Sequence, residues 1–250
     1  MSDLILEQFT RLLDGLDAEA PWPDLEASGF LDLLRPEAEG GAGLDLEGLF
    51  PLVLETGRRP LGPPVVETMV ARLLAPGASN VTDLESALVA AGSGGETARA
   101  LASAIAAARM AGAMERLQEM TLGWASTRKQ FGREIGKFQA IQHQIAVLAE
   151  EVTAAHMAAQ IAFTGAPLAI SARRAGLAKL RAGEAAQATA AIAHAVHGAI
   201  GVSQEHPLHH YTGALHRLRL AHGGEAWWAR RLGRWALASD EDMVSLARAV

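Results

Sequence analysis

Apolar residues recur three and four positions apart along most of this chain, a spacing that lines one side of an α-helix and does not alternate as a strand would. Leu4 to Leu16, Leu44 to Thr56 and Pro64 to Leu74 read as short amphipathic helices, with Pro36 to Gly43 as a loop between the first two. Eight of the ten prolines precede residue 77 and none falls between Gly77 and Ala166. The first part therefore breaks into short pieces and the second permits long helices. Residues 77 to 95 read as a linker with a helical turn at Asp83 to Ala91 and a Gly-rich end. Four long helical segments follow, 96–127, 136–164, 167–196 and 206–237, divided by Gly132 and Gly136, by Gly165-Ala-Pro167, and by Gly198 to Pro207. In the second, Phe138, Ile141, Ile145, Leu148 and Val152 keep the 3-4-3-4 spacing of a bundle helix. In the third, Glu184 to Ile192 is made of good helix formers small enough for close backbone approach, as a central helix needs. Short connections favour antiparallel neighbours. The expected protein is all-α, with an N-terminal helical region (1–76), a linker (77–95) and an antiparallel four-helix bundle (96–250).

Composition narrows the function. Of 250 residues, 50% are hydrophobic and 20% charged, the balance of a folded chain that is neither disordered nor membrane-spanning. With no cysteine, disulfides, thiolate metal sites and a cysteine nucleophile are excluded. The first residues show no leader pattern, and a cytoplasmic location is expected. Residues 1–55 hold thirteen acidic side chains against Arg11 and Arg35, which leaves the remainder at 20 basic to 15 acidic. A net charge of -6 argues against nucleic-acid binding, yet the basic remainder suits a small anionic ligand.

Two motifs carry the chemistry. Arg128-Lys-Gln-Phe-Gly-Arg-Glu-Ile-Gly-Lys-Phe-Gln139 resembles the acyl-CoA dehydrogenase pattern in which R-x-x-F-G runs into I-G-x-F-Q. His197-Gly-Ala-Ile-Gly-Val-Ser-Gln-Glu-His-Pro-Leu-His-His-Tyr211 resembles that family's H-G-G-x-G-x-x-x-E-x-x-L-x-x-Y loop. Upstream, Pro36 to Gly43 and Glu55-Thr-Gly-Arg58 are similar to its P-E-x-x-G-G-x-G loop and E-x-G-R stretch. The family's β-domain, with its T-E-x-x-x-G-S-D motif, has no counterpart between these regions, where only 77–95 stand.

The resemblance implies an FAD-dependent subunit that converts acyl-CoA thioesters to 2,3-enoyl-CoA and passes electrons to an acceptor protein, with the flavin as hydride sink. It puts Arg128 at the FAD pyrophosphate, which a guanidinium fork binds with paired hydrogen bonds. Phe131 and Gln139 would flank the adenosine, and His197, Gly198 and Gly201 would approach the same ligand across a subunit boundary. A homo-oligomer, or a hetero-oligomer with a full-length relative that supplies the β-domain, is expected. An isolated Phe131 would instead be core, an isolated Arg128 a helix cap, and Gly198 to Gly201 a plain helix junction.

Neither carboxylate base of the family is present. One branch's E-G-T loop falls on His222-Gly223, and the other's helix position falls near Leu101, Ala102 and Ser103. His222 is the candidate replacement, since a neutral imidazole accepts protons, and Glu225 is a second candidate. His206 and His210 share helical spacing but lack an H-E-x-x-H arrangement, so no metal site is expected. Trp228, Leu232 and Trp235 share a face that reads as core or subunit interface. The alternative is a non-catalytic helical assembly or binding subunit, because the β-domain and the base are gone.

Overall fold

The computed structural model describes residues 2–17, 19–59 and 62–248; residues 1, 18, 60–61 and 249–250 lie outside it. Four helices form the first part: α1 (Ser2–Gly15), α2 (Trp22–Ser28), α3 (Leu46–Gly57) and α4 (Val65–Ala71). The linker folds as α5 (Leu84–Ala90), capped by Asp83, whose carboxylate accepts the Ser86 N–H at 3.0 Å. Then come α6 (Gly95–Thr127), α7 (Gln139–Ala162), α8 (Ala172–His197), α9 (Leu208–Leu220), α10 (Glu225–Leu237) and α11 (Met243–Arg248). Among the described residues the sheet content is two residue pairs, β1 (Lys129–Gln130) against β2 (Arg133–Glu134). The fold is all-α and the middle β-domain is absent.

α6 is the hub. Its 33 residues span about 50 Å at the rise of an α-helix. From Ala100 to Met114 every position is buried, so this stretch has no polar face and packs on all sides. The small-residue run on α8, expected at the centre, lies beside α6 and lends its alanines to that packing. Glycine brings α3 close: a Cβ on Gly57 would sit 2.1 Å from the Arg109 carbonyl oxygen, and one on Gly112 would sit 2.1 Å from that of Leu54. The Glu-Thr-Gly-Arg stretch is thus a helix crossing, sealed where Arg58 bonds Glu115 at 2.8 Å. One hydrophobic cluster runs from Phe9 to Leu215.

The segment 206–237 is two helices, not one. The chain reverses at Ala221 to Gly224, where His222 and Gly223 have φ of 56° and 99°. On the face of α10 that holds Trp228, Leu232 and Trp235, Trp228 is core, 2% exposed and fitted over Gly176, where a Cβ would meet its ring at 2.3 Å, while the other two are half-buried. Trp235 lies under Arg173, 4.0 Å from ring centre to guanidinium carbon. Among the described residues no helix is long and apolar enough to cross a membrane.

Candidate functional site

Arg128 ends α6, its N–H still bonded to the Trp124 carbonyl, and the chain turns into the β1–β2 hairpin. At the tip Phe131 and Gly132 have φ of 50° and 80°, the two left-handed residues a tight hairpin turn requires. Glycine accepts that conformation readily and phenylalanine does not. Phe131 is nonetheless there, 90% exposed and edge-on to Phe138 at 6.1 Å, and it is not core. A bulky side chain held strained and in the open suits contact with a ligand.

The up-down-up course of α6, α7 and α8 brings the end of α8 to the same place. Gly198 there has φ 65° and ψ −141°, open to glycine alone, and leads into the short turn Gly198–Val202. Gly201 packs against α8 and α9, since a Cβ would lie 2.9 Å from the His197 Cβ and 3.0 Å from Leu208. His197 is 4% exposed. Its Nδ1–H donates to the Ala193 carbonyl at 2.7 Å, so Nε2 carries the lone pair, and that buried atom has no partner among the described residues. Burial pushes the imidazole below its ordinary value, and nearby His206 and His194 push it further the same way. The ring is therefore neutral near pH 7 and stacks on Trp124 at 5.5 Å with a 19° tilt.

Arg128, Phe131, His197 and Gly198 converge with Trp124 and Ile135 on one cavity of about 660 Å³. The sequence reading brought guanidinium and glycine turn together across a subunit boundary; in the structure one chain holds both on this cavity, because α6 and α8 finish side by side. Gln139 is exposed at the start of α7 and lies outside the lining, to which its neighbours Phe138 and Ile141 contribute. Gly201 supports the turn from beneath and does not line it. Trp124 is the residue the sequence reading missed, although it stands four before Arg128 and so on its face of α6. The guanidinium lies 5.8 Å from the indole centre, and no carboxylate among the described residues pairs with it. Glu134, the acid of the motif, is taken by Lys137 at 2.6 Å and Lys129 at 3.8 Å. A partly aromatic hollow with one uncommitted cation can take an anionic ligand that has an aromatic part.

The positions answering to the missing bases lie at the other end of α6, about 35–40 Å away by helix rise. Ser103 Oγ–H donates to the His222 carbonyl at 3.2 Å, so the two sequence positions meet. Glu225 does not join them. Its carboxylate is bonded to Arg219 and lies against Gly183 beside Lys179. Burial opposes ionisation of Glu225, but the Arg219 hydrogen bond and its charge hold the carboxyl below its ordinary range, a setting for an ion pair and not for a proton acceptor. The histidines of the second motif pack on one another: His206 lies 4.8 Å from His197, and His209 lies 4.0 Å from His210. Among the described residues no three potential ligands are grouped as a metal site.

The fold defines a helical-bundle protein, with an open cavity where α6 and α8 end. Residues 98–237 match the family model described as acyl-CoA dehydrogenase, C-terminal domain, and the chain belongs to that family. It is 36% identical over 115 residues to the acyl-CoA dehydrogenase IpdE2 of Mycobacterium tuberculosis, which covers 46% of this chain and 35% of the relative. With acyl-CoA dehydrogenase FadE27 of the same organism it is 35% identical over 135 residues, 49% of this chain and 35% of the relative. The matches thus span about a third of those relatives' length. In fold it is similar to a chain of the ChsE4–ChsE5 complex from Mycobacterium tuberculosis, with a TM-score of 0.77 at 19% identity, covering 96% of this chain and 98% of that one.

Proposed function

We propose that this chain is a subunit of an FAD-dependent acyl-CoA dehydrogenase that forms 2,3-enoyl-CoA and works with a partner subunit carrying the β-domain that residues 77–95 replace here. The observation that carries this reading is the convergence of Arg128, Phe131, His197 and Gly198 on one cavity. Among the described residues no acid neutralises Arg128, and the buried His197 Nε2 has no hydrogen-bond partner. The Arg128 guanidinium is a group that a pyrophosphate would satisfy. Bound FAD would supply the two-electron oxidation, while this chain would hold its adenosine diphosphate end. The chain shows one helical wall where a flavin pocket needs two, so a second subunit completes it. The relatives named above are acyl-CoA dehydrogenases, and one structural neighbour is a complex of two named chains.

The test is to purify the chain alone and together with the product of its chromosomal neighbour, then record visible spectra and acyl-CoA-dependent dye reduction. A yellow, active mixture is expected. A charge-assisted contact worth about 1.5–3 kcal/mol implies that Arg128→Ala weakens FAD binding roughly 10–100-fold without unfolding the bundle. Unchanged occupancy would remove Arg128 from the site. Colourless, inert mixtures would favour a purely structural subunit, the reading supported by the lack of a carboxylate at Ser103 and His222.

A further inference from the structure

Every residue of α6 from Ala100 to Met114 is buried, and all are small, aliphatic or methionine except Arg109. Arg109 is the single charged side chain of that stretch and is 6% exposed. Its backbone is fixed, because α3 crosses at Gly57 directly against its carbonyl. The guanidinium pairs with Glu67 of α4, Nη1–H donating to Oε1 at 2.6 Å. Among the described residues that is its one hydrogen bond, and Arg109 Nε and Glu67 Oε2 are both buried without a partner. A buried ion pair does not stabilise a fold more than well-packed apolar residues of similar size would. An under-bonded one costs more, since each unpaired polar group has lost its water. Packing alone gives no reason for a charge at this place on the central helix.

Arg109 lines a cavity of about 650 Å³ that α6 shares with the end of α1 and the starts of α2 and α4. Arg128 and its cavity are about 28 Å further along α6 by helix rise. Ser103 faces elsewhere too, because six residues at 3.6 per turn put Arg109 roughly 120° from it around the helix axis. Leu13, Leu16, Trp22, Pro63, Pro64 and Val65 give the cavity an apolar wall. Its other guanidinium is spent: Arg59 donates to Asp14 at 2.7 and 3.1 Å, to the Glu55 carboxylate, and to the Glu55 carbonyl at 3.1 Å. The Thr56 hydroxyl is taken by the Val53 carbonyl at 2.7 Å, and Asn80 stands at the exposed rim. Arg109 is the donor left at the buried end. Around the cavity Arg59 and Arg109 face Asp14, Asp17, Glu55 and Glu67, an acidic excess that disfavours an anion. A cation would meet the Arg109 guanidinium head on.

We propose that this cavity is a second binding site of the chain, for a neutral, mainly apolar molecule whose carbonyl oxygen accepts a hydrogen bond from the Arg109 guanidinium. An apolar wall with one placed polar group is the usual make-up of small-molecule sites, and the volume lies within their range. A charged donor makes the stronger kind of hydrogen bond, and this one is held in place before the guest arrives. Glu67 is the positioning residue: it takes one N–H of the guanidinium and leaves the rest free of protein partners among the described residues. The site needs neither Arg128 nor a partner subunit, so it stands or falls apart from the cofactor reading.

Acetophenone, ethylbenzene and benzoate, nearly alike in shape, are titrated into the ¹⁵N-labelled full chain. Acetophenone should shift the Trp22 indole N–H signal saturably, and benzoate should bind more weakly. Arg109→Met combined with Glu67→Gln removes both charges together, so no lone charge is left buried and the bundle stays folded. In that variant acetophenone affinity should fall roughly 10-fold, the effect of one hydrogen bond to a charged group, while ethylbenzene affinity holds. Leu16→Trp, which fills the cavity and leaves the ion pair intact, should abolish binding of both neutral probes. Benzoate binding tighter than acetophenone, acetophenone affinity unchanged in the double variant, an equal loss there for both neutral probes, or no saturable shift at Trp22 up to the solubility limit would each overturn the proposal. Arg128→Ala should leave acetophenone binding alone, so a failed cofactor site is seen apart from a failure here.

Discussion

His197 joins the stability of the bundle to the cavity it lines. Its Nδ1–H is committed to Ala193, its Nε2 is buried, and its imidazole sits below the ordinary value of about 6.5 because of burial. The unfolded chain therefore binds a proton at this residue at a higher pH than the folded chain does. Stability is full above the unfolded value and declines as pH falls through it towards the folded one. Glu119 and Glu225, held low by Arg58 and Arg219 against the opposing effect of burial, lose their contributions only in the carboxylate range below. Urea unfolding should show a loss of stability for the unaltered chain as pH falls below about 6.5 that is absent in His197→Gln; equal slopes in both would mean the imidazole is not buried neutral. Single residues also mark the limits of sequence reading. Arg128, His197 and Gly198 were legible because their motif order fixed them. Trp124 was not, since nothing in a motif beginning at Arg128 points back one helical turn. Phe131 shows that motif context outweighs hydrophobicity, because hydrophobicity alone would have sent it inside.

At the scale of elements, the crossing of α3 and α6 is set by two glycines that face each other's backbone. Alanine at Gly112 would gain about 1 kcal/mol in helix propensity. Its Cβ would, however, meet the Leu54 carbonyl oxygen, and neither helix backbone can yield locally. Overpacking of this kind costs roughly 1–3 kcal/mol and more where backbone is involved, so Gly112→Ala should be destabilising by about 2 kcal/mol, near a 4–8 °C fall in Tm for a chain of this size. Calorimetry decides it, and an unchanged or raised Tm would show that the helices are not in backbone contact. Long helices were readable from the missing prolines, and α6 follows its expected span within a residue. The division of 206–237 was not, because the apolar spacing continues across Ala221 to Gly224 and the reversal depends on Ser103, Lys179 and Trp228 from elsewhere. The pairing of Arg109 with Glu67 is unreadable for the same reason: long-range contacts leave no periodic trace.

In the whole molecule, α6 separates two sites. The Arg128–His197 cavity lies at its C-terminal end, and the His222 turn lies at its N-terminal end beside the helix that stands where the family carries its β-domain. On the proposed reading the first would hold the adenosine end of a dinucleotide, and the second lies too far away for the same ligand to reach. The central claim, that Arg128 and the Gly198 turn of a single chain hold a dinucleotide, is tested most directly by titrating FAD into the ¹⁵N-labelled chain and following its amide spectrum. Perturbations confined to Trp124, Arg128 to Ile135 and His197 to Ile200, and lost in Arg128→Ala, are the predicted result. Saturable shifts elsewhere, or none at millimolar FAD, would contradict it.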